Sequence, residues 1–145
     1  MKMTRFLYER PSDMQQLTPH LMFQDGRAEE ALNFYIDLFG GETILLLNYG
    51  EEAAEMAGKV QIATINIGGQ QLNLMDSSAV HEFGFTPSIS LFFRCDSEEH
   101  LDKLYTGLTD GGQAMMPKSD YGFGPYAWVS DRYGVSWQLS FNPNA

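Results

Sequence analysis

The sequence of 145 residues has few of the features that define several common protein classes. Its one cysteine, Cys95, cannot form an intramolecular disulfide, which is typical of proteins from a reducing compartment. No uninterrupted apolar run reaches the roughly 18 residues that a membrane-spanning helix needs. The first residues lack the apolar core of a secretory signal. We therefore expect a soluble, cytoplasmic protein.

Basic side chains are also scarce, since nine Lys and Arg stand against nineteen Asp and Glu and give a formal net charge of -10. A surface of that sign repels phosphate backbones and anionic lipid headgroups, and no local basic patch offsets it. We expect neither nucleic acid nor membrane as a partner. Hydrophobic residues at 43% and charged residues at 19% exclude a disordered chain and indicate one globular domain.

The chain contains one pattern twice. Each half begins with a Thr-Pro pair, at Thr18 and again at Thr86, and continues through a strand-like stretch, an Asp and an amphipathic helix. Each helix is followed by a Gly-Gly pair, which begins at Gly40 in the first half and at Gly111 in the second. Such internal similarity predicts one structural unit used twice.

Hydrophobic periodicity predicts the elements of each unit. The expected helix stripes are Ala28, Ala31, Leu32, Tyr35, Leu38 and Phe39 in the first half, and Leu101, Leu104, Tyr105 and Leu108 in the second, where Asp96 is the expected N-cap. The strands expected after the helices are residues 43–48, 60–67 and 71–75, then 113–116, 127–130 and 135–141. Gly68 and Gly69 form a hairpin signal.

These elements predict an α+β fold of two βαβββ modules with curled mixed sheets around a cleft and helices on the outer face. We place an N-terminal arm of unknown role at residues 1–16, the first module at 17–78, a connector at 79–86 and the second module at 87–141, together one domain.

Alternation within the strands assigns a role to each face of the sheets. The apolar face, expected under the helices, carries Leu21, Phe23, Ala63, Ile65, Ile67, Ile89, Leu91, Phe93, Trp137, Leu139 and Phe141. The opposite face mixes polar and apolar side chains, namely His20, Met22, Gln24, Ile62, Thr64, Asn66, Ser88, Ser90, Phe92, Ser136, Gln138 and Ser140. A face this polar is unsuited to a dry core, and a cleft lined by it is a common setting for a small-molecule site.

Several motifs resemble the vicinal oxygen chelate superfamily, which contains glyoxalase I, extradiol dioxygenases and the fosfomycin and bleomycin resistance proteins. The superfamily motif is His20, followed by Phe34-Tyr35 and then by Leu38-Phe39-Gly40-Gly41. Three further motifs are the segment Thr18 to Phe23, the Ile67-Gly68-Gly69 hairpin with Leu74-Met75-Asp76, and the segment Asp131 to Trp137. Within the superfamily they are similar to the PhnB-like branch over about residues 17–141. The resemblance implies a homodimer whose modules often pair across the subunit boundary.

The resemblance also implies positions for the metal ligands of the superfamily's enzymes. They fall on His20, on Ile62 with Gln61 one step off, on Ser90 or Ser88, and on Gln138. Only His20 retains a strong donor, because Ile has no lone pair and Ser and Gln are weak neutral ligands. We therefore predict no cofactor and no tightly held metal, although a weak divalent ion at His20 is the alternative.

We predict a small-molecule site formed by His20, Met22, Thr64, Ser90, Gln138, Tyr126 and Trp128. One alternative is an isomerase, lyase or transferase-type enzyme that uses His20 as a base or weak metal ligand, with Gln138 orienting the substrate. Another is a resistance-type protein that sequesters a flat drug. Its aromatic contacts would come from the segment Asp120 to Trp128, which could equally cap the core or a dimer seam. A methyltransferase label attached to this branch finds no support, since Gly122 and Gly124 lead into Pro125 and not into a helix.

Overall fold

The computed structural model describes residues 15–144, so nearly all of the predicted N-terminal arm lies outside the described residues. The elements are β1 (His20–Phe23), α1 (Ala28–Phe39), β2 (Glu42–Asn48), β3 (Val60–Ile67), β4 (Gln70–Asp76), β5 (Leu91–Arg94), α2 (Glu98–Thr109), β6 (Gln113–Asp120), β7 (Pro125–Ser130) and β8 (Ser136–Ser140). A short 3-10 helix, Glu51–Met56, connects β2 to β3. The order βαβββ occurs twice, which confirms the predicted fold class.

The strands form two mixed four-stranded sheets with the same topology. Sheet A has the order β1-β4-β3-β2, and sheet B has the order β5-β8-β7-β6. In each sheet the first strand of the module pairs in parallel with the last strand, and the other neighbours are antiparallel. The outer edges of the sheets are therefore β2 and β6.

Helix α1 begins without a cap from its own sequence. Instead, the carboxylate of Asp76 at the end of β4 accepts the N–H of Ala28 and, with its second oxygen, the N–H of Val60, both at 3.0 Å. The helix ends at Gly40, whose φ of 77° is the left-handed conformation that glycine adopts without strain. Asp76 thus ties the start of α1 to two strands of sheet A.

Helix α2 is capped by Ser97, whose Oγ accepts the N–H of His100 at 3.0 Å. The predicted cap at Asp96 is wrong by one residue. Ser97 has the extended backbone that a cap requires, while Asp96 lies before it with an Oδ1 that is 3.1 Å from His100 Nδ1.

Both helices pack on the same side of the two sheets and share one core. Helix α1 lies on β3 and β4, contacts α2, and also reaches sheet B, where Phe39 stacks on Trp137 with ring centroids 4.7 Å apart. The predicted stripes are confirmed, since Ala28, Ala31, Leu32, Tyr35, Leu101, Leu104 and Leu108 are buried. The two modules are therefore joined by a common apolar layer beneath the helices.

A buried carboxylate stabilises this junction. Asp131, in the turn between β7 and β8, accepts the Tyr35 hydroxyl at 2.6 Å and Trp137 Nε1 at 2.9 Å. The N–H groups of Tyr133 and Val135 donate to its other oxygen at 2.9 and 3.0 Å. Burial raises the pKa of Asp131, and these four hydrogen bonds oppose the shift. Asp131 connects a helix of the first module to a strand of the second.

The structure corrects two expectations about the sheets. They are not strongly curled, so neither encloses a cleft by itself. Ile89 was expected under the helices but is 75% exposed, because β5 begins only at Leu91. No helix in the described part of the chain is long and apolar enough to cross a membrane.

Candidate functional site

The face of each sheet that points away from the helices, here called the open face, carries the predicted site residues. In sheet A the strand register aligns His20, Asn73, Thr64 and Leu45 in one row across all four strands. Thr64 Oγ1 donates to Asn73 Oδ1 at 2.7 Å, and Asn73 Nδ2 lies 3.5 Å from His20 Nδ1. Asn73 thus connects the Thr64 hydroxyl to the edge of the His20 ring.

A row in the same position crosses sheet B, where the register aligns Phe92, Gln138, Trp128 and Met116. The hydroxyl of Tyr126 donates to Gln138 Oε1 at 2.6 Å. Burial, followed by the nearby Tyr121, raises the pKa of Tyr126, so its hydroxyl stays protonated at neutral pH and remains a donor. This bond fixes the orientation of the Gln138 amide, so its NH2 group remains available as a hydrogen-bond donor.

A hydrogen-bonded chain on the same sheet leads from Trp128 towards the boundary between the modules. Trp128 Nε1 donates to Ser136 Oγ at 2.9 Å, and Ser136 Oγ lies 2.6 Å from Ser90 Oγ. Ser90 precedes β5, which is the inner edge of sheet B. The chain therefore ends where sheet B faces sheet A.

A cavity of about 180 Å³ lies at this boundary, and we call it the seam cavity. His20 reaches it from β1, and Ser90 and Ser136 reach it from sheet B. The remaining lining is mostly apolar and consists of Pro19, Leu21, Phe85, Thr86, Ile89, Leu91 and Val135. With Thr86, four polar residues thus line a mostly apolar wall, which is the usual composition of a site for a small organic molecule.

A second, larger cavity of about 370 Å³ lies on the other side of Phe85, and Met22 lines it together with Gln24 and His81. The Gln24 amide holds the connector there, since its Nε2 donates to Phe83 O and its Oε1 accepts His81 N–H. Phe85 lines both cavities and so forms the wall between them.

The seven predicted site residues thus fall into three places. His20 and Ser90 share the seam cavity, with Trp128 connected to them through Ser136. Thr64 supports His20 through Asn73, and Met22 lines the neighbouring cavity. Gln138 and Tyr126 bond to each other further out on sheet B, and neither lines the seam cavity.

The aromatic segment between β6 and β7 packs on the protein itself. The rings of Tyr121 and Phe123 meet the Tyr126 ring edge to face, with centroids 5.9 and 5.3 Å apart. Asp120 Oδ1 accepts the N–H groups of both glycines in the loop. Because Tyr121 and Phe123 remain 40% and 53% exposed, they cover Tyr126 while leaving their outer faces accessible.

The donors near His20 do not fit a transition-metal site. Its neighbours on sheet A are an amide and a hydroxyl, and the seam cavity adds the hydroxyl residues Thr86, Ser90 and Ser136, all weak neutral ligands. Among residues 15–144, no three His, Cys, Asp or Glu side chains come together. Among the described residues, the Ser90 and Ser136 hydroxyls bond to each other and to the Trp128 indole, and neither bonds to His20. The arrangement provides hydrogen bonds of fixed geometry.

Two residues of the site were not predicted as such. Asn73 was overlooked, although two signals in the sequence indicate it. The hairpin at Gly68 and Gly69 places Asn73 directly opposite Thr64, and its position between two buried leucines puts it on the open face. Ser136 was assigned to the open face but not to the site, because its importance depends on contacts with Trp128 and Ser90 that no local pattern reveals.

The two mixed four-stranded sheets, with the helices on one side, form the glyoxalase-like fold. A glyoxylase/bleomycin resistance protein/dioxygenase domain from Frankia sp. shares the fold at 14% identity and a TM-score of 0.65, over 90% of this chain and 93% of that one. The sequence pattern of the 3-demethylubiquinone-9 3-methyltransferase family matches residues 15–140. The chain belongs to that family, in its PhnB-like branch.

Two solved structures illustrate this relationship. A PhnB protein from Bacillus cereus is 40% identical, with a TM-score of 0.82 over 88% of this chain and 99% of that one. A protein from Pseudomonas aeruginosa is 24% identical, with a TM-score of 0.78 over 88% of this chain and 98% of that one. No curated protein matches the chain.

Proposed function

We propose that the protein binds a small organic molecule in the seam cavity and holds no metal tightly. The observation that supports the proposal is the convergence of His20, Ser90 and Ser136 on one largely apolar cavity. Its volume of about 180 Å³ suits a ligand of one ring, since an apolar cavity of roughly 150 Å³ is known to hold benzene. A hydroxyl or carbonyl on that ring would meet the polar side chains.

The family's name describes a methyl transfer, which needs a bound methyl donor. A nucleoside-containing donor is usually held where a strand turns through glycines into a helix. Here the first turn of α1 is already filled by the Asp76 carboxylate, and Gly122 and Gly124 lead into β7 instead of a helix. The residues do not fit such a donor, and we derive no methyl-transfer step.

We also propose a homodimer in the cytoplasm, and exposed apolar side chains support the dimer. Phe92 in the sheet B row is 57% exposed, and Ile89 beside the seam cavity is 75% exposed. Side chains of this kind are commonly covered by a partner subunit. A net charge of -10 argues against nucleic acid and anionic membranes as that partner.

Phenol is a suitable probe of the seam cavity, because it combines one ring with one hydroxyl. NMR titration of ¹⁵N-labelled protein with phenol should shift the amide resonances of Leu21, Leu91 and Val135, with a Kd near millimolar for so small a ligand. Ser90→Leu should fill the cavity and abolish these shifts. Ser119→Leu, on an exposed position of β6, is the matched control and should leave them unchanged. Shifts that spread over the surface, or that survive in Ser90→Leu, would contradict the proposal.

A further inference from the structure

The side chain of Phe85 lies between the seam cavity and the larger cavity beside Gln24. Among residues 15–144, it is the one side chain that lines both. The segment that contains β1 passes along both cavities, since residues 19–21 line the seam cavity and residues 22–25 line the larger one. The two cavities therefore follow one another along β1, and the Phe85 ring closes the passage between them.

The Phe85 ring is held in place by packing and by the anchoring of the connector. It meets the ring of Phe23 edge to face, with centroids 5.3 Å apart, and Phe23 is a core residue that is 3% exposed. Two residues before Phe85, the carbonyl oxygen of Phe83 accepts Gln24 Nε2 at 2.7 Å, which ties the connector to the end of β1. Since a close-packed core leaves its rings little room to move aside, the Phe85 ring is a fixed wall.

The volumes of the two cavities show what this wall decides. The seam cavity has about 180 Å³ and the larger cavity about 370 Å³. Sites for drug-sized ligands usually have about 300–1,000 Å³, so the seam cavity alone lies below that range, and the two cavities joined would lie within it. The size of the ligand therefore depends on whether the Phe85 ring separates the cavities.

We propose that Phe85 determines the length of the ligand, because its ring limits the seam cavity to a single-ring molecule. This rests on the proposed small-molecule site and names the class of ligand, which is a phenol with at most a short substituent opposite the hydroxyl. The hydroxyl meets His20, Ser90 and Ser136 at the start of β1. The larger cavity follows further along β1, so a substituent opposite the hydroxyl points towards the Phe85 ring.

A series of 4-alkylphenols tests this length limit on the wild-type protein, with the same ¹⁵N NMR titration as for phenol. Each methylene that enters an apolar space normally tightens binding about fourfold. In the wild type, the gain should stop at or before 4-ethylphenol, and 4-butylphenol should bind no more tightly than 4-ethylphenol. A steady gain through 4-butylphenol would overturn the length limit alone. If phenol itself does not bind, the proposed site and the length limit both fail.

The variant Phe85→Ala tests whether the ring is the wall. Here the gain of about fourfold per methylene should continue through 4-butylphenol, which should now also shift the amide resonances of Gln24, Val80 and Gly84 in the larger cavity. Phe83→Ala is the matched control, since it removes the same ring from a residue that is 63% exposed and lines neither cavity. It should keep the wild-type pattern.

The dispersion of each NMR spectrum checks that the variant is folded, and the wild-type series does not depend on either variant. If 4-butylphenol binds Phe85→Ala no more tightly than the wild type, the ring does not set the length. The same conclusion follows if 4-butylphenol leaves the amides of the larger cavity unshifted in Phe85→Ala, or if Phe83→Ala gains affinity for 4-butylphenol equally.

Discussion

The Asp131 carboxylate provides a sharp test of how the two modules are held together. Its side chain is 4% exposed and accepts four hydrogen bonds, from Tyr35, Trp137 and two backbone N–H groups of its own turn. In Asp131→Ala the Tyr35 hydroxyl and Trp137 Nε1 lose their acceptor inside the core. Each buried donor without an acceptor costs about 1–3 kcal/mol, so these two side chains alone should cost about 2–6 kcal/mol.

Urea denaturation followed by tryptophan fluorescence measures this loss, since Trp137 is buried beside the carboxylate. A domain of this size has an unfolding free energy of about 5–15 kcal/mol, so a loss of that size should lower the urea midpoint clearly. Tyr35→Phe removes one donor and should cost only about 1 kcal/mol. In the Asp131→Ala background it should instead restore about 1–3 kcal/mol, because it removes a buried hydroxyl that has already lost its acceptor. Additive losses, or a cost below about 1 kcal/mol for Asp131→Ala, would show that the carboxylate does not join the modules.

Two further predictions concern single positions. Burial raises the pKa of the Cys95 thiol from 9.0 to about 11, so its labelling by Ellman's reagent at pH 8 should be at least about 100-fold slower in the native protein than in urea. Because the pKa of this thiol is higher in the folded state than in the unfolded state, its contribution to stability is present below pH 9 and should be lost as the pH rises towards 11. Fast labelling of the native protein at pH 8 would contradict the raised pKa. Gly112→Ala should destabilise the protein by about 2 kcal/mol more than Gly107→Ala in thermal denaturation. A Cβ at Gly112 would lie 2.3 Å from the Ser130 carbonyl oxygen, which is fixed in β7. A Cβ at Gly107 would lie 2.5 Å from the tip of the Leu38 side chain, which can move away. Equal losses of stability in the two variants would refute this reasoning.

Local patterns were sufficient to predict the elements of each module. The hairpin at Gly68 and Gly69 fixes the register of β3 and β4, and the helix stripes identify the buried sides of α1 and α2. The start of β5 was predicted too early, because the alternation around Ile89 looks like a strand while the chain there is still part of the exposed connector. Periodicity records which side chains are apolar but not where strand pairing begins.

The arrangement of the modules and of the site was harder to predict, because both depend on contacts between distant residues. Tyr35 and Asp131 are 96 positions apart, and no local signal joins them. His20 and Ser90 were predicted for one site and do line one cavity, whereas Gln138 lies outside it. Gln138 lies two residues further along β8 than Ser136, and of these two only Ser136 reaches the cavity.

The carboxylate that caps α1 affects how the first module is made on the ribosome. Ala28 is synthesised 48 residues before Asp76, so the growing chain contains a twelve-residue helix whose first turn still lacks its acceptor. Isolated helices of that length are marginal in water. We therefore expect nascent chains that stop short of residue 76 to remain largely unfolded, and the helix and its sheet to form together once β4 has left the exit tunnel.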